Sequence, residues 1–403
     1  MFYTLAIGSG VMRALSVVFD FLAINVVSIN TLVFGFLSQW VSFLTTIIIV
    51  AVVSIRRISD GRRQSIGYSL DPDFDRLRLL PRKPMTYVII AGFFAGISTL
   101  SYYFLVGSTD ASSMLPYGQL VIIYLLMGDL MAEKDSPTVI EIQSLMSILF
   151  GVLLIGTTPI GFDFVALLIV LGPMNLSSAM LTYYQRKTKR YEIRPGLRVD
   201  ALNMRVWSLL VLNSVMSLLM LPMMPANAWQ MMAESVIPLF WIMVGSSVTA
   251  FLSIVMYIRA LGKGSMAVVN SLSAISVVLG IPATLIGNLF IPGGFGDLGS
   301  DPFLWTLKIL GIMLVMIGIV ALQATDIRSL VLVKVKPMTR DLLPDLYDIK
   351  GVEKVAALAG GIDYILTIKS RNLAKTRTMI LNKVQKVPGI DRIETLVVIR
   401  EYR

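Results

Sequence analysis

Arg13 and Asp20 lie seven residues apart inside one apolar run. In a helix that spacing is about two turns, so both side chains fall on one face. Ionisable groups inside a membrane-length apolar run are costly and default to functional candidates. The chemistry they offer is binding, with Arg13 as an anion contact and Asp20 as a cation or proton site. The bland alternative is an internal salt bridge between them that only stabilises packing. Lys308, near the start of the last apolar segment, is either an anion contact or a side chain snorkelling to the surface. Tyr103, Tyr117, Gln119, Tyr257 and Asn270 complete the candidate substrate-binding set, because burying a phenol or an amide requires a partner.

Covalent chemistry has little to work with. The chain has no cysteine and no histidine, which removes thiol nucleophiles, thiolate metal sites and imidazole bases. Proton traffic would have to use carboxylates or tyrosines. There is no phosphate-binding loop, no His-Glu metal motif and no Gly-x-Ser-x-Gly elbow. The expectation is a protein that is no enzyme and holds no cofactor and no metal.

The elements that must carry these residues follow from composition. Of 403 residues 56% are hydrophobic and 15% charged, and the mean hydropathy is +0.77. Soluble domains run at about 45–50% and about 25%. Ten apolar segments absorb the excess: 2–27, 31–54, 85–106, 112–131, 139–157, 162–184, 204–223, 237–259, 265–290 and 303–324. Most reach the roughly 20 residues that cross a bilayer as helix, and they are continuous rather than alternating, which excludes a β-barrel. The fold expected is an all-α polytopic membrane protein. Pro116 and Pro173 should kink their spans and free carbonyls for a cavity.

Lysine and arginine set the orientation. Loop 55–84 carries eight and loop 185–205 carries seven, Arg205 included, while connections 28–30, 107–111, 158–161, 224–236 and 291–302 carry none. Basic loops stay inside, so a multi-pass protein of the cell membrane with both termini cytoplasmic is expected. The first segment is long and lacks a basic start, which predicts a retained helix rather than a cleaved signal. Residues 327–403 hold 15 basic and 8 acidic residues and no spanning run. They read as a soluble cytoplasmic domain.

Segments three to five return in eight to ten. Val88-Ile89-Ile90-Ala91-Gly92 with Tyr103 matches Trp241-Ile242-Met243-Val244-Gly245 with Tyr257, and Gly128-Asp129 matches Gly287-Asn288. Two halves of five spans, 1–160 and 161–326, would be inverted relative to each other, with a site between them near the midplane. Gly8-Ser9 with Arg13, Gly128-Asp129, Ser136-Pro137 and Gly151-Val152-Leu153-Leu154 together resemble the drug/metabolite transporter superfamily of the EamA type. The resemblance implies export of amino acids, metabolites or drugs, or exchange of nucleotide sugars.

Within 327–403 the pattern reads β-α-β-β-α-β: strand 331–335, helix 339–347, strands 352–359 and 363–369, helix 372–386 and strand 391–401. That order predicts a ferredoxin-like α+β sandwich. Ala359-Gly360-Gly361-Ile362-Asp363-Tyr364 and the Val387–Thr395 stretch resemble the effector-binding domain of the Lrp/AsnC regulators. The resemblance implies an amino-acid effector near Gly360 and Asp363 and a homodimer formed through the sheet. No DNA-reading helix pair accompanies it, so nucleic acid is not an expected partner. Val331, Val333, Val335 and residues 396–399 look like surplus apolar surface for such an interface. The reading is a secondary transporter of a small-molecule substrate, most simply amino acids, embedded in a lipid bilayer and fused to a sensor domain. A nucleotide-sugar or lipid-linked carrier and a non-transporting membrane sensor are the alternatives.

Overall fold

A computed structural model describes residues 2–27, 29–59, 62–107, 111–133, 139–155, 157–158, 161–162, 164–263, 266–291, 302–324, 327–349, 352–370 and 380–397. The chain forms two compact units, one of residues 1–136 with 145–319 and one of 137–144 with 320–403. Residues 372–379 of the expected 372–386 helix, residues 398–401 of the expected last strand, the glycine-rich 293–299 loop, Lys134, Ser136, Pro137 and the Asp129 side chain lie outside the described residues.

The apolar runs fold as helices: α1 (Phe2–Val27), α2 (Thr31–Val53), α3 (Arg82–Val106), α4 (Ala111–Tyr117), α5 (Val121–Glu133), α6 (Val139–Ile155), α7 (Phe164–Ile169), α8 (Ser177–Lys189), α9 (Ala201–Met220), α10 (Ala228–Lys263), α11 (Met266–Ser273), α12 (Ile275–Phe290) and α13 (Pro302–Ala324). Among the described residues eight helical spans are long and apolar enough to cross a membrane, and two shorter apolar helices cover Met114–Gly128 and Ile142–Ile155. The chain is therefore a helical membrane protein. The shorter pair falls on the fourth and fifth expected segments.

Local chemistry sets where the spans begin and break. Asn30 caps α2 by accepting from the amides of Leu32 and Val33 at 3.0 and 3.3 Å, which satisfies two donors that a helix start leaves free. Asp200 does the same for α9 through Asn203 N at 2.7 Å. Pro116 sits in the last turn of α4, which passes through a 3₁₀ turn at Gly118–Leu120 into α5. Pro173 lies in a π-helical stretch, Val170–Leu176, joining α7 to α8; proline removes a donor from the helical ladder, and a widened turn accommodates the loss. α10 is 36 residues long, about 54 Å at 1.5 Å per residue, more than the hydrocarbon core alone requires.

Packing in the larger unit follows small residues. Gly92 and Gly96 of α3 face Val211 and Val215 of α9, and a Cβ on Gly92 would stand 2.6 Å from Val211 Cβ. Gly151 of α6 and Gly311 of α13 bring their backbones against each other, where neither position has room for a methyl group. Such close approach is how membrane helices gain contact without a hydrophobic driving force. α1 packs along α10 and also meets α11 and α12; α3 packs on α8 and α9; α2 packs on α9 and α10; α4 meets α12 and α5 meets α11.

One loop is clamped beneath these helices. Lys189 Nζ, at the end of α8, bonds Asp71 Oδ2 and Asp73 Oδ2 at 2.8 Å each. Asp71 Oδ2 also accepts from Ala201 N at 2.7 Å, Asn203 Nδ2 donates to Arg76 O at 3.0 Å, and Arg259 donates to Leu70 O. The 66–81 segment is thereby fixed to α8, α9 and α10. Lys189 and Arg205 read as loop charges in the sequence, yet both are buried.

In the larger unit three short hairpins pair β1 (Arg56–Ser59) with β2 (Arg62–Ser65), β3 (Thr157–Thr158) with β4 (Gly161–Phe162) and β5 (Glu192–Arg194) with β6 (Leu197–Arg198). In the smaller unit, strands β7 (Ile327–Val335), β8 (Val352–Ala357), β9 (Tyr364–Ser370) and β10 (Ile390–Val397) form one antiparallel sheet in the order β10-β7-β9-β8. This is the α+β arrangement expected. The first helix, α14, is shorter than expected and covers Leu343–Tyr347; Ile380–Val384 forms a π-helical turn. The core joins Val331, Val333, Leu366 and Ile368 to Leu342, Leu346, Ile380 and Val384. Val331 and Val333 are therefore core residues and Val335 packs against them, so none of the three is surplus surface. The register pairs Leu332 with Ile365 and with Glu394, and Leu330 with Leu396, so these alternate residues form the opposite face of the sheet.

Candidate functional site

The site grows from Asp20. It is buried in α1 and accepts from Ser246 Oγ of α10 at 2.8 Å and from Tyr102 Oη of α3 at 3.1 Å. Ser16, one turn earlier, shares a 3.2 Å hydroxyl contact with Ser246. Among the described residues Asp20 has hydroxyl partners and no ion pair, so the internal bridge to Arg13 is not formed.

Asp20 opens onto a cavity of about 40 Å³. α1 contributes Ser16 and Asp20, α2 contributes Ser38, Gln39 and Ser42, and Tyr103 comes from α3. α10 adds Ser246, Ser247 and Ala250, and α9 adds Arg205. Tyr103 is held by an edge-on contact with Phe34 and by Gln39 Nε2, which donates to its hydroxyl at 3.2 Å. Arg205 was hidden in the sequence because it stands at the edge of its apolar run and counts as a flanking charge. Its only sequence signal is its place five residues past the Asp200 cap, one turn inside the helix.

A second polar group lies beside Arg13. The Arg13 guanidinium fills the space over Gly118, where a Cβ would meet Nη2 at 2.7 Å. Gln119, Tyr257 and Asn270 are brought together: Tyr257 Oη donates to Asn270 Oδ1 at 3.5 Å, Asn270 Nδ2 to Gln119 Oε1 at 3.4 Å, and Gln119 Nε2 to Ser276 Oγ at 3.4 Å. Thr182 closes the row on Tyr257 at 3.4 Å. Tyr117 is buried next to this row and its carbonyl accepts from Asn175 Nδ2 at 2.9 Å. The seven candidates thus fall into two groups, Asp20 and Tyr103 on the cavity and Arg13, Tyr117, Gln119, Tyr257 and Asn270 on the row. Lys308 is half-buried on α13 and is not among the cavity-lining residues.

Three carbonyls around Pro173 also accept from side chains. Val170 O accepts from Asn175 Nδ2 at 2.7 Å, Leu171 O from Tyr124 Oη at 2.7 Å and Met174 O from Ser98 Oγ at 2.9 Å.

In the smaller unit Gly360 lies exposed in the β8–β9 turn, with open space where a Cβ would stand. Asp363 closes that turn: its Oδ2 accepts from Val335 N at 2.8 Å and its carbonyl from Leu358 N at 2.8 Å. The glycine leaves the turn open, and the aspartate fixes its shape. Tyr364 Oη donates to Asp341 Oδ1 at 2.9 Å and accepts from Leu342 N at 3.2 Å, tying β9 to the start of α14.

Residues 329–403 match the family model of the Lrp/AsnC ligand binding domain. That match covers all but the first two residues of the four-stranded sheet, and both sequence motifs. With the helical unit it makes the chain a membrane protein carrying an Lrp/AsnC-type ligand-binding domain at its C-terminal end. No curated protein matches the chain. A solved structure, named only as the crystal structure of a protein, aligns over 78% of this chain and 96% of its own, at 11% identity and a TM-score of 0.44.

Proposed function

We propose that the chain is a secondary transporter of small metabolites, with amino acids as the substrate class, rather than an enzyme. It has ten spans in two inverted five-span halves of EamA type. Counting α4–α5 as the fourth span, α6 as the fifth and α7–α8 as the sixth, the observation that supports this is an exchange of contacts. The first span packs on the eighth and the sixth on the third; the second packs on the eighth and the seventh on the third. Spans two and seven, four and nine, and five and ten meet their own counterparts, through Trp40 and Ser217, Gln119 and Ser276, and Gly151 and Gly311. A two-fold axis between the halves requires both kinds of pairing. The two exchanged interfaces also carry matching serine pairs, Ser16 with Ser246 and Ser98 with Ser178.

Substrate would enter between the halves at the Asp20 cavity, and rocking of one half against the other would expose it to each side in turn. Both termini face the cytoplasm, as the basic loops require. The C-terminal domain binds an amino-acid effector and pairs two copies of the protein. Nucleic acid has no role.

Counterflow of labelled amino acids in liposomes tests the reading. The expected result is exchange that is lost in Asp20→Asn, which keeps shape and removes charge. Binding without exchange would favour a membrane sensor, a reading supported by the ligand-binding domain itself. Exchange of nucleotide sugars alone would favour the carrier alternative.

A further inference from the structure

Arg205 is a buried cation that has no counter-charge among the described residues. It is 6% exposed, its Nε is buried without a hydrogen-bonding partner, and no ion pair reaches it among the described residues. Its position makes this worse. It lies one turn inside the start of α9, where the helix dipole favours anions over cations. A buried guanidinium nitrogen without a partner costs free energy unless the rest of the group is satisfied from the cavity side. Arg205 faces the same cavity as Asp20, whose carboxylate is held by hydroxyls alone.

One cavity thus has an acceptor pole on α1 and a donor pole on α9, and its lining also includes Ser42, Ser246 and Ser247. An inorganic anion would satisfy only Arg205, and a metal cation only Asp20. A zwitterion satisfies both. The volume of about 40 Å³ has room for roughly three waters, which limits the occupant to a short side chain.

We propose that Asp20 and Arg205 are the two poles of a site for a small zwitterionic amino acid, with its ammonium on Asp20 and its carboxylate on Arg205. The planar guanidinium suits a carboxylate, which it can grip with two parallel N–H donors. This deepens the transport reading by naming the occupant of its cavity, and it is tested by binding alone.

The test is equilibrium binding of labelled glycine and alanine to the full-length protein in detergent. Acetate and methylamine serve as competitors that each carry one of the two charges. The wild type should bind both amino acids and be displaced by either competitor. R205M and D20N should each weaken glycine binding at least ten-fold. Competition by acetate should vanish in R205M and persist in D20N, while competition by methylamine should show the reverse. Should R205M fail to fold, the wild type decides, because displacement by only one competitor overturns the two-pole arrangement. Wild-type affinity for glycine in either variant, or no glycine or alanine bound by the wild type, also overturns it. Glycine binding without counterflow sinks the transport reading and leaves this site standing; counterflow of an uncharged metabolite without glycine binding does the opposite.

Discussion

The hydroxyl of Tyr102 donates to Asp20 Oδ2 at 3.1 Å, across the α1–α3 contact, while Arg13 on the same face of α1 makes no ion pair with that carboxylate. The charge in the first span is therefore held by neutral groups from two other helices. A hydrogen bond to a charged acceptor contributes roughly 1.5–3 kcal/mol. Tyr102→Phe should lower stability by that order, and Asp20→Asn should add less in the Tyr102→Phe background than in the wild type. Thermal unfolding in detergent reads both; additive losses would mean the two side chains act independently.

Lys189 is buried between Asp71 and Asp73, with Asp71 also capping the amide of Ala201. Lys189→Met leaves both carboxylates without their cation, and breaking a buried pair in this way costs about 3–5 kcal/mol. The expected outcome is poor recovery of folded protein, partly restored by adding Asp71→Asn. A Lys189→Met protein as stable as the wild type would show that the 66–81 clamp adds nothing.

Burial lifts the Asp200 carboxyl from 3.8 to about 6, against the pull of its two bonds to Asn203. Between those values the folded protein binds more protons than the unfolded chain, so this group's contribution falls as pH rises. It is fully present below 3.8 and lost through about 6. Melting temperature followed from pH 3.5 to 7 should therefore decline more steeply in the wild type than in Asp200→Asn. Parallel profiles would remove Asp200 as the cause.

Neighbouring positions on β7 separate folding from assembly. Val331 is in the domain core and Leu332 on the opposite face beside Ile365. Val331→Glu should unfold the C-terminal domain, because a charge would replace a fully buried side chain. Leu332→Glu with Leu396→Glu should leave it folded and shift full-length protein in detergent from dimer to monomer. Light scattering on both proteins checks this, and a dimer that survives the double change would locate the interface elsewhere.

Much of this was legible in the sequence, for identifiable reasons. Asp20, Gln119, Tyr257 and Asn270 stand out because a polar residue inside an apolar run has no solvent to turn to. The strand order in 327–403 follows from alternation and from the glycine turn before Asp363. Arg205 and Lys189 were not legible, because each sits at the edge of an apolar run and looks like a flanking charge. Lys189 is buried by aspartates 116 and 118 residues earlier, and contacts at that separation leave no period to read. The apolar face of the sheet was misjudged by one residue for a related reason. Where both faces of a strand carry aliphatic side chains, as Val331 and Leu332 do, composition cannot say which face the helices cover.

The break between α7 and α8 has a mechanical meaning. Ordinarily a helix resists bending because its carbonyls lose their partners when it flexes. Here Asn175, Tyr124 and Ser98 already serve Val170, Leu171 and Met174, and these bonds do not depend on an unbroken ladder through Pro173. Two of these donors come from other helices, Tyr124 from α5 and Ser98 from α3, so the joint is moored to its neighbours and a bend at Pro173 would pull on both.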